Sequence, residues 1–238
     1  MKKVWANDHM ELVMEEEDNR DILFIYSDGS LSEKNGRRCT GFGVVGYCQG
    51  RREFEQKEAL GEHTEVYDVE MAGLHAAAKE ARRYTETQPP DSKPHKLAFY
   101  ADNTGAIQRI FEGSPGKAQA HSRAFRREIC NILNADDKTI VAISWCPRHM
   151  GIVSNEVADK LAKSGSTLLP ERPKYKTQAY VARLHKQELA EMWKLRWPNT
   201  PNPPSAWFQP ANRIPPRLKP MERFLSTDQK TFSRLVQC

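Results

Sequence analysis

Four acidic residues stand at positions where an apolar core would not place them: Asp28, Glu70, Asp102 and Asp159. Asp28 follows a compact apolar run at 22–26 that predicts a buried strand. Asp102 follows a second apolar run at 96–101, where a helix is expected to begin. Each residue alone could be a turn aspartate or a helix cap. Together they suggest two carboxylates at the carboxyl ends of strands, where sites form in sheets covered by helices.

The other two acids lie on predicted helices among apolar neighbours. Glu70 precedes Leu74 by four residues, which puts a charge within the apolar stripe of the helix. A buried carboxylate there is costly unless a cation meets it. Asp159 has Ala162 on its inner side, although an exposed pair with Lys163 would also explain it.

Carboxylates gathered in one place repel one another, and divalent cations relieve that repulsion. Hard oxygen ligands select Mg²⁺ or Mn²⁺ over Zn²⁺. Two such ions about 4 Å apart can activate a water and stabilise the leaving oxygen in phosphodiester cleavage. The four acids therefore predict a metal-dependent hydrolytic site, provided that the fold brings them together.

The elements that must position these acids can be predicted from periodicity and turn residues. Strands are expected near residues 22–26, 40–48, 51–60, 96–101 and 139–145, and helices near 64–84, 104–111, 117–133 and 155–163. Asp28-Gly29-Ser30 is expected to end the first strand, Gln49-Gly50 to form a hairpin turn, and Ser154 or Asn155 to cap the last helix. Three glycines at 41, 43 and 46 suggest close backbone approach. The order predicts an α/β fold with a five-stranded mixed sheet and helices packed on it.

Composition divides the chain into three parts. Residues 1–20 are acidic and are expected to be a mobile lead-in, and 21–165 form the α/β domain. Residues 166–238 are a basic, Pro-rich extension with one amphipathic helix at about 177–196. From Gly165 onward there are 13 Lys and Arg against 5 Asp and Glu, a net charge of +8, which suggests a nucleic-acid partner.

Two classes of protein are disfavoured by what the sequence lacks. No apolar stretch is long enough for a membrane span and the amino terminus has no apolar signal region, so an intracellular protein is expected. The five cysteines form no Cys-x-x-Cys pair, which predicts free thiols and not a disulfide framework or a zinc site.

The stretch WCPRHMGIVSNEVAD at 145–159 resembles the type 1 ribonuclease H pattern W-x-P-G-H-x-G-x-x-G-N-E-x-A-D. Only Arg148 and Ser154 depart from it, each replacing a glycine. The sequences at 26–30, 70–74 and 101–103, around the other three acids, also match that family. The resemblance covers about residues 21–165, and four motifs in order make it specific.

The resemblance implies a ribonuclease H-like fold and a hydrolase that cuts the RNA strand of RNA–DNA hybrids. Its metal ligands would be Asp28, Glu70, Asp102 and Asp159, holding two Mg²⁺ ions, with Mn²⁺ as the alternative. His149 would assist as a mobile acid–base group. Contacts with the 2′-hydroxyls and phosphates of the hybrid are expected from Gly29, Ser30, Asn103 and Thr104.

The motif VYDVEMAGL at 66–74 resembles the ribonuclease H domains in polyproteins of non-LTR (LINE-like) retrotransposons. So does the tail, with Trp193, Trp197, Arg223-Phe224 and the stretch 232–235. This resemblance implies a reverse transcriptase module in the parent polyprotein as a partner.

Three alternatives remain at this stage. The first is a catalytically inactive retrotransposon remnant that binds nucleic acid, although retention of all four acids and His149 argues against it. The second is a scaffold whose Pro-rich tail binds partner proteins. The third is an integrase or exonuclease of the same fold, over which the stretch 145–159 favours ribonuclease H.

Overall fold

The computed structural model describes residues 2–16, 18–113, 116–148, 150–170 and 176–196. Its strands are β1 (Ile22–Lys34), β2 (Arg37–Cys48), β3 (Arg51–Ala59), β4 (Lys96–Ala101) and β5 (Ile140–Trp145). Its helices are α1 (Lys2–Glu16), α2 (Val66–Thr87), α3 (Thr104–Phe111), α4 (Gln119–Ala135), α5 (Val153–Ser166) and α6 (Gln178–Arg196), with a 3₁₀ turn at Pro90–Ser92. The chain divides into one unit at Met1–Tyr180 and a second at Val181–Cys238.

The five strands form one mixed sheet in the order β3-β2-β1-β4-β5, as predicted. β1 and β2 pair antiparallel, as do β2 and β3, whereas β1, β4 and β5 run parallel. Gln49 and Gly50 both adopt positive φ, at 50° and 66°. This is the backbone of a tight hairpin turn, and the predicted turn between β2 and β3 is confirmed.

Alternate residues of the central strands serve two separate cores. Leu23, Ile25 and Phe99 pack in a cluster with residues of α2 and α4, while Phe24 and Tyr100 pack in a cluster with residues of α1 and α5. A continuous apolar run such as 22–26 is what a strand buried on both faces requires. Helices thus cover both faces of the sheet. The end of the sheet that carries Asp28 and Asp102 lies between these two layers of helices.

β1 is longer than the sequence indicates. It runs to Lys34, so Asp28-Gly29-Ser30 lie inside the strand, and the prediction that they end it was wrong. The antiparallel pairing with β2 continues through Asp28↔Gly43, whereas the parallel pairing with β4 ends at Ser27↔Ala101. The backbone pairing of β1 with β2 outweighs the preference of Asp28-Gly29-Ser30 for a turn. Asp28 consequently lies in the strand but just beyond the end of the β1–β4 pair.

The segment expected to be a mobile lead-in instead contains helix α1. Ala6 and His9 are buried on its inner face. The Trp5 ring stacks on His9 at 5.0 Å and lies 5.8 Å from the ring of Trp145. The many acidic side chains of this segment make its apolar stripe hard to recognise in the sequence. The stripe becomes evident only where its residues pack against the sheet.

α5 begins earlier than predicted. Its N-cap is Ile152, so Ser154 and Asn155 lie within its first turn and neither is the cap. The preceding loop ends at Gly151, whose φ is 79°, and the helix therefore begins before Ser154 and Asn155. α5 lies against β2, where a β-carbon at Gly43 would clash with backbone atoms of Ala158 and Ala162. The close backbone approach predicted from the glycines of β2 is confirmed at Gly41 and Gly43, whereas the atoms closest to Gly46 belong to the side chain of Phe54.

The remaining elements lie within a few residues of their predicted bounds, including α6, expected at about 177–196. The rest of the predicted extension, from residue 197, is outside the described residues. Cys39, Cys48, Cys130 and Cys146 are free thiols. Among the described helices, none combines the length and the apolarity that a membrane crossing requires.

Candidate active site

Three of the four predicted acids converge at one end of the sheet. Asp28, Glu70 and Asp102 each place a carboxylate oxygen within 4.8 Å of the other two. Their side chains are 1%, 2% and 4% exposed. We call these three residues the acidic cluster. Buried carboxylates at this separation cannot all remain charged unless cations accompany them.

Each member of the cluster comes from a different element, held by local contacts. Asp28 lies in β1, and the Gly29 amide donates to its Oδ1 at 2.8 Å. Glu70 lies near the start of α2, and a β-carbon at Gly29 would come within 2.9 Å of the Glu70 nitrogen. The missing side chain at Gly29 therefore lets α2 approach β1 closely.

Asp102 directly follows β4, and its carboxylate is not a helix cap. Asn103 caps α3, because its Oδ1 accepts a hydrogen bond from the Ala106 amide at 3.1 Å. The Trp145 indole donates to the Asp102 carbonyl at 2.9 Å and thereby ties the end of β4 to the end of β5. The Asp102 carboxylate is consequently free of a capping role and faces the cluster.

The electrostatics of the cluster show an excess of negative charge. Burial, followed by the charge of Asp102, raises the pKa of Asp28 to about 7. Burial and the charges of Asp28 and Asp102 also raise the pKa of Glu70 well above its ordinary value. In addition, Asp28 Oδ2 is buried and accepts no hydrogen bond from any donor among the described residues. The cluster thus has an unsatisfied ligand atom and a need for positive charge.

Arg148 partly meets that need, a role that the sequence did not reveal. Its Nη2 lies 2.8 Å from Asp28 Oδ1 and 3.6 Å from Glu70 Oε1, and its Nε bonds to Asp102 Oδ2. In the sequence, Arg148 is evident only as a positively charged residue that replaces a glycine beside His149. The signal that could have indicated this role is the positive charge at a motif position where the family pattern has glycine.

Asp159 lies beside the cluster on α5. Its Oδ2 is 2.5 Å from Lys163 Nζ, so the ion pair considered from the sequence is present. The interaction between the two carboxyl groups raises the pKa of Asp28 and lowers that of Asp159. Burial would raise the pKa of Asp159, but the hydrogen bond from Lys163 and the interaction with Asp28 outweigh burial and lower it. With a side chain 20% exposed, Asp159 stands at the solvent side of the three buried acids.

The remaining predicted site residues have different surroundings. Gly29 is buried and Ser30 is 9% exposed, both in β1. Asn103 is half-buried, and Thr104 is exposed as the first residue of α3. Their contacts with a hybrid stay predictions. His149 lies outside the described residues.

The donor set fits hard divalent cations. It consists of carboxylate oxygens, one of them without a donor, and Mg²⁺ and Mn²⁺ prefer such ligands. The cluster contains neither sulfur nor imidazole, so it does not resemble a zinc site.

Solved structures similar to this one include several ribonucleases H. The N-terminal RNase H domain of rv2228c from Mycobacterium tuberculosis, fused to maltose binding protein, is 16% identical over 61% of this chain and 93% of that chain (TM-score 0.46). RNase H1 from Halobacterium salinarum NRC-1 is 19% identical over 60% and 96% (TM-score 0.43). A prototype foamy virus protease–reverse transcriptase is 19% identical over 62% and 21% (TM-score 0.45).

No curated protein sequence matches the chain. The sequence model of one family, described as RNase H, matches residues 20–167 and thus includes the whole sheet, the acidic cluster and Asp159. The matched region is more than half of the chain. The chain belongs to the ribonuclease H family.

Proposed function

We propose that this protein is an endonuclease that hydrolyses the RNA strand of RNA–DNA hybrids with the help of two divalent metal ions, Mg²⁺ or Mn²⁺. The observation that carries the proposal is the acidic cluster in a chain of this family. Three carboxylates, remote in sequence and each at most 4% exposed, present oxygens within 4.8 Å of one another. Such burial of like charges is too costly to serve packing alone.

The four acids would divide the work of holding the ions. Asp28 lies together with Glu70 and Asp102 and interacts with Asp159, so it would hold metal with all three of the other acids. Glu70 and Asp102 would complete the inner part of the site, and Asp159 the part nearer to solvent. Bound Mg²⁺ would stabilise negative charge on the reacting phosphate and lower the pKa of a water.

The chain's own groups would orient the hybrid and manage protons. Thr104 is exposed beside the cluster, at the amino terminus of α3, where backbone amides and the helix dipole favour phosphate. Asn103, Gly29 and Ser30 are the further candidates for contacts with the hybrid backbone. We assign His149 a role in proton transfer because its ordinary pKa lies near neutrality.

The Val66–Leu74 motif and the features of the tail support a retrotransposon polyprotein as the origin of the chain. In that case a reverse transcriptase module would supply the hybrid, since reverse transcription of RNA produces the RNA–DNA duplex that this site would cut.

The test is cleavage of a hybrid labelled on its RNA strand, in Mg²⁺, by the wild-type protein and by Asp102→Asn. We expect internal cuts in the RNA strand, abolished by chelation and reduced at least about a thousandfold in the variant, because one ligand of the ions is lost. Asp137→Asn, a change of an exposed aspartate away from the cluster, is the matched control and should cut normally.

Cleavage that persists in Asp102→Asn would refute the assignment of the site. Hybrid binding without cleavage in either metal would instead support the inactive remnant. Cleavage of DNA alone would support an exonuclease-like activity.

A further inference from the structure

The guanidinium of Arg148 lies in the space that a metal ion would need. Nη2 is 2.8 Å from Asp28 Oδ1 and 3.6 Å from Glu70 Oε1, while Nε bonds to Asp102. A Mg²⁺ ion would bind Asp28 Oδ1 at about 2.1 Å. The ion and the guanidinium would then compete for the same oxygen, and their like charges would repel each other.

Arg148 and the carboxylates differ in how easily they can move away. The carboxylates are at most 4% exposed and belong to a strand, a helix and a strand end, whereas the Arg148 side chain is 43% exposed. Arg148 lies in the connection between β5 and α5, where Gly151 has φ at 79°. The arginine can therefore rotate into water without uncovering either core.

The charge of Arg148 cannot be removed by deprotonation, because guanidinium keeps its proton at all ordinary pH values. Its planar fork contacts all three acids through two nitrogens in a fixed geometry, whereas a lysine would hold them through one nitrogen on a flexible stem and therefore less firmly. The contact can therefore be ended only by movement of the side chain, not by loss of its charge.

We propose that Arg148 is a resident counter-ion of the acidic cluster that competes with divalent metal and must leave the cluster before metal binds. This inference rests on the proposed function, because it takes the cluster as a metal site. The apparent metal affinity is the intrinsic affinity multiplied by the fraction of molecules in which Arg148 is out of the cluster, so it is lower the more often Arg148 occupies the cluster. The residue thus sets the metal concentration at which the site fills and stabilises the protein when metal is absent.

The experiment measures Mg²⁺ and Mn²⁺ binding by calorimetry without nucleic acid, together with the melting temperature in chelator and in saturating metal. The proteins are the wild type, Arg148→Gln, Arg148→Lys and the matched control Arg83→Gln. Arg83 is 75% exposed on α2 and pairs only loosely with Glu80, at 3.5 Å.

We expect Arg148→Gln to bind metal at least about tenfold more tightly than the wild type does. This factor corresponds to a wild-type protein in which Arg148 occupies the cluster at least about nine-tenths of the time. Its melting temperature should fall in chelator, where the acids lose their counter-ion, and approach that of the wild type in saturating metal. Arg148→Lys should bind with intermediate affinity, and Arg83→Gln should behave like the wild type.

Equal metal affinity in the wild type and Arg148→Gln would overturn the inference and leave the proposed function standing. Weaker binding in the variant would also overturn it, since Arg148 would then support the metal site. Metal binding by none of the proteins would overturn both proposals. If Arg148→Gln does not fold, Arg148→Lys decides, and an affinity equal to that of the wild type refutes the competition.

Discussion

We expect His9, on the inner face of α1, to make the stability of the protein depend on pH. The residue is 5% exposed, its Nε2 lies 2.9 Å from the Tyr26 hydroxyl, and its ring lies 4.4 Å from that of Tyr100. Burial lowers the pKa of His9 to about 4. Protonation is therefore much easier in the unfolded chain, where a histidine has a pKa of about 6.5.

The size of the effect follows from those two pKa values. Because the pKa in the folded state is lowered, the unfolded state binds more protons as the pH falls below 6.5, and stability is lost down to about pH 4. Between pH 7 and pH 5 this linkage amounts to about 2 kcal/mol from His9 alone. Above pH 7 the contribution of His9 is nearly constant.

Urea unfolding at pH 7 and pH 5, followed by tryptophan fluorescence, tests this reasoning. The proteins are the wild type, His9→Gln and His185→Gln, in which an exposed histidine of α6 is changed as a control. His9→Gln should be less stable at pH 7, yet lose about 2 kcal/mol less than the wild type between pH 7 and pH 5. Equal losses in all three proteins would refute the assignment of the pH response to His9.

Three further predictions concern the site and the elements around it. In chelator, Glu70→Gln should melt a few degrees higher than the wild type, because burial disfavours the charge of Glu70. The variant should not show the rise in melting temperature that Mg²⁺ gives the wild type, and a melting temperature below that of the wild type in chelator would contradict this prediction. Gly43→Ala should cost about 3 kcal/mol in urea unfolding, because its β-carbon clashes with the backbone of α5. Gly113→Ala should cost less than about 0.5 kcal/mol, because no atom of the described residues would lie within 4 Å of the added β-carbon. Removal of 181–238, with 10 Lys and Arg against 4 Asp and Glu, should weaken hybrid binding and flatten its salt dependence, and an unchanged salt slope would count against a role for the tail.

The positions of the helices and strands could be predicted because their signals are local. The apolar run 96–101 matches β4 residue for residue, and the turn at Gln49-Gly50 follows from the conformational preferences of the two residues that form it. Helix α1 was not predicted, because its apolar stripe around Ala6 and His9 can be recognised only once these residues are seen to pack against the sheet.

The sequence by itself determined the chemistry available to this protein: which carboxylates could hold metal, their order along the chain, and the membership of the ribonuclease H family that their motifs indicated. These properties are carried by residue types and short spacings.

Only the tertiary structure decided how those groups meet. It shows that β1 continues past Asp28, that Asp159 lies at the solvent side of the three buried acids, and that Arg148 reaches into their midst. The physical reason is that burial and charge contacts are set by segments distant in sequence: Arg148 lies 120 residues from Asp28, and no local preference of either residue encodes their contact.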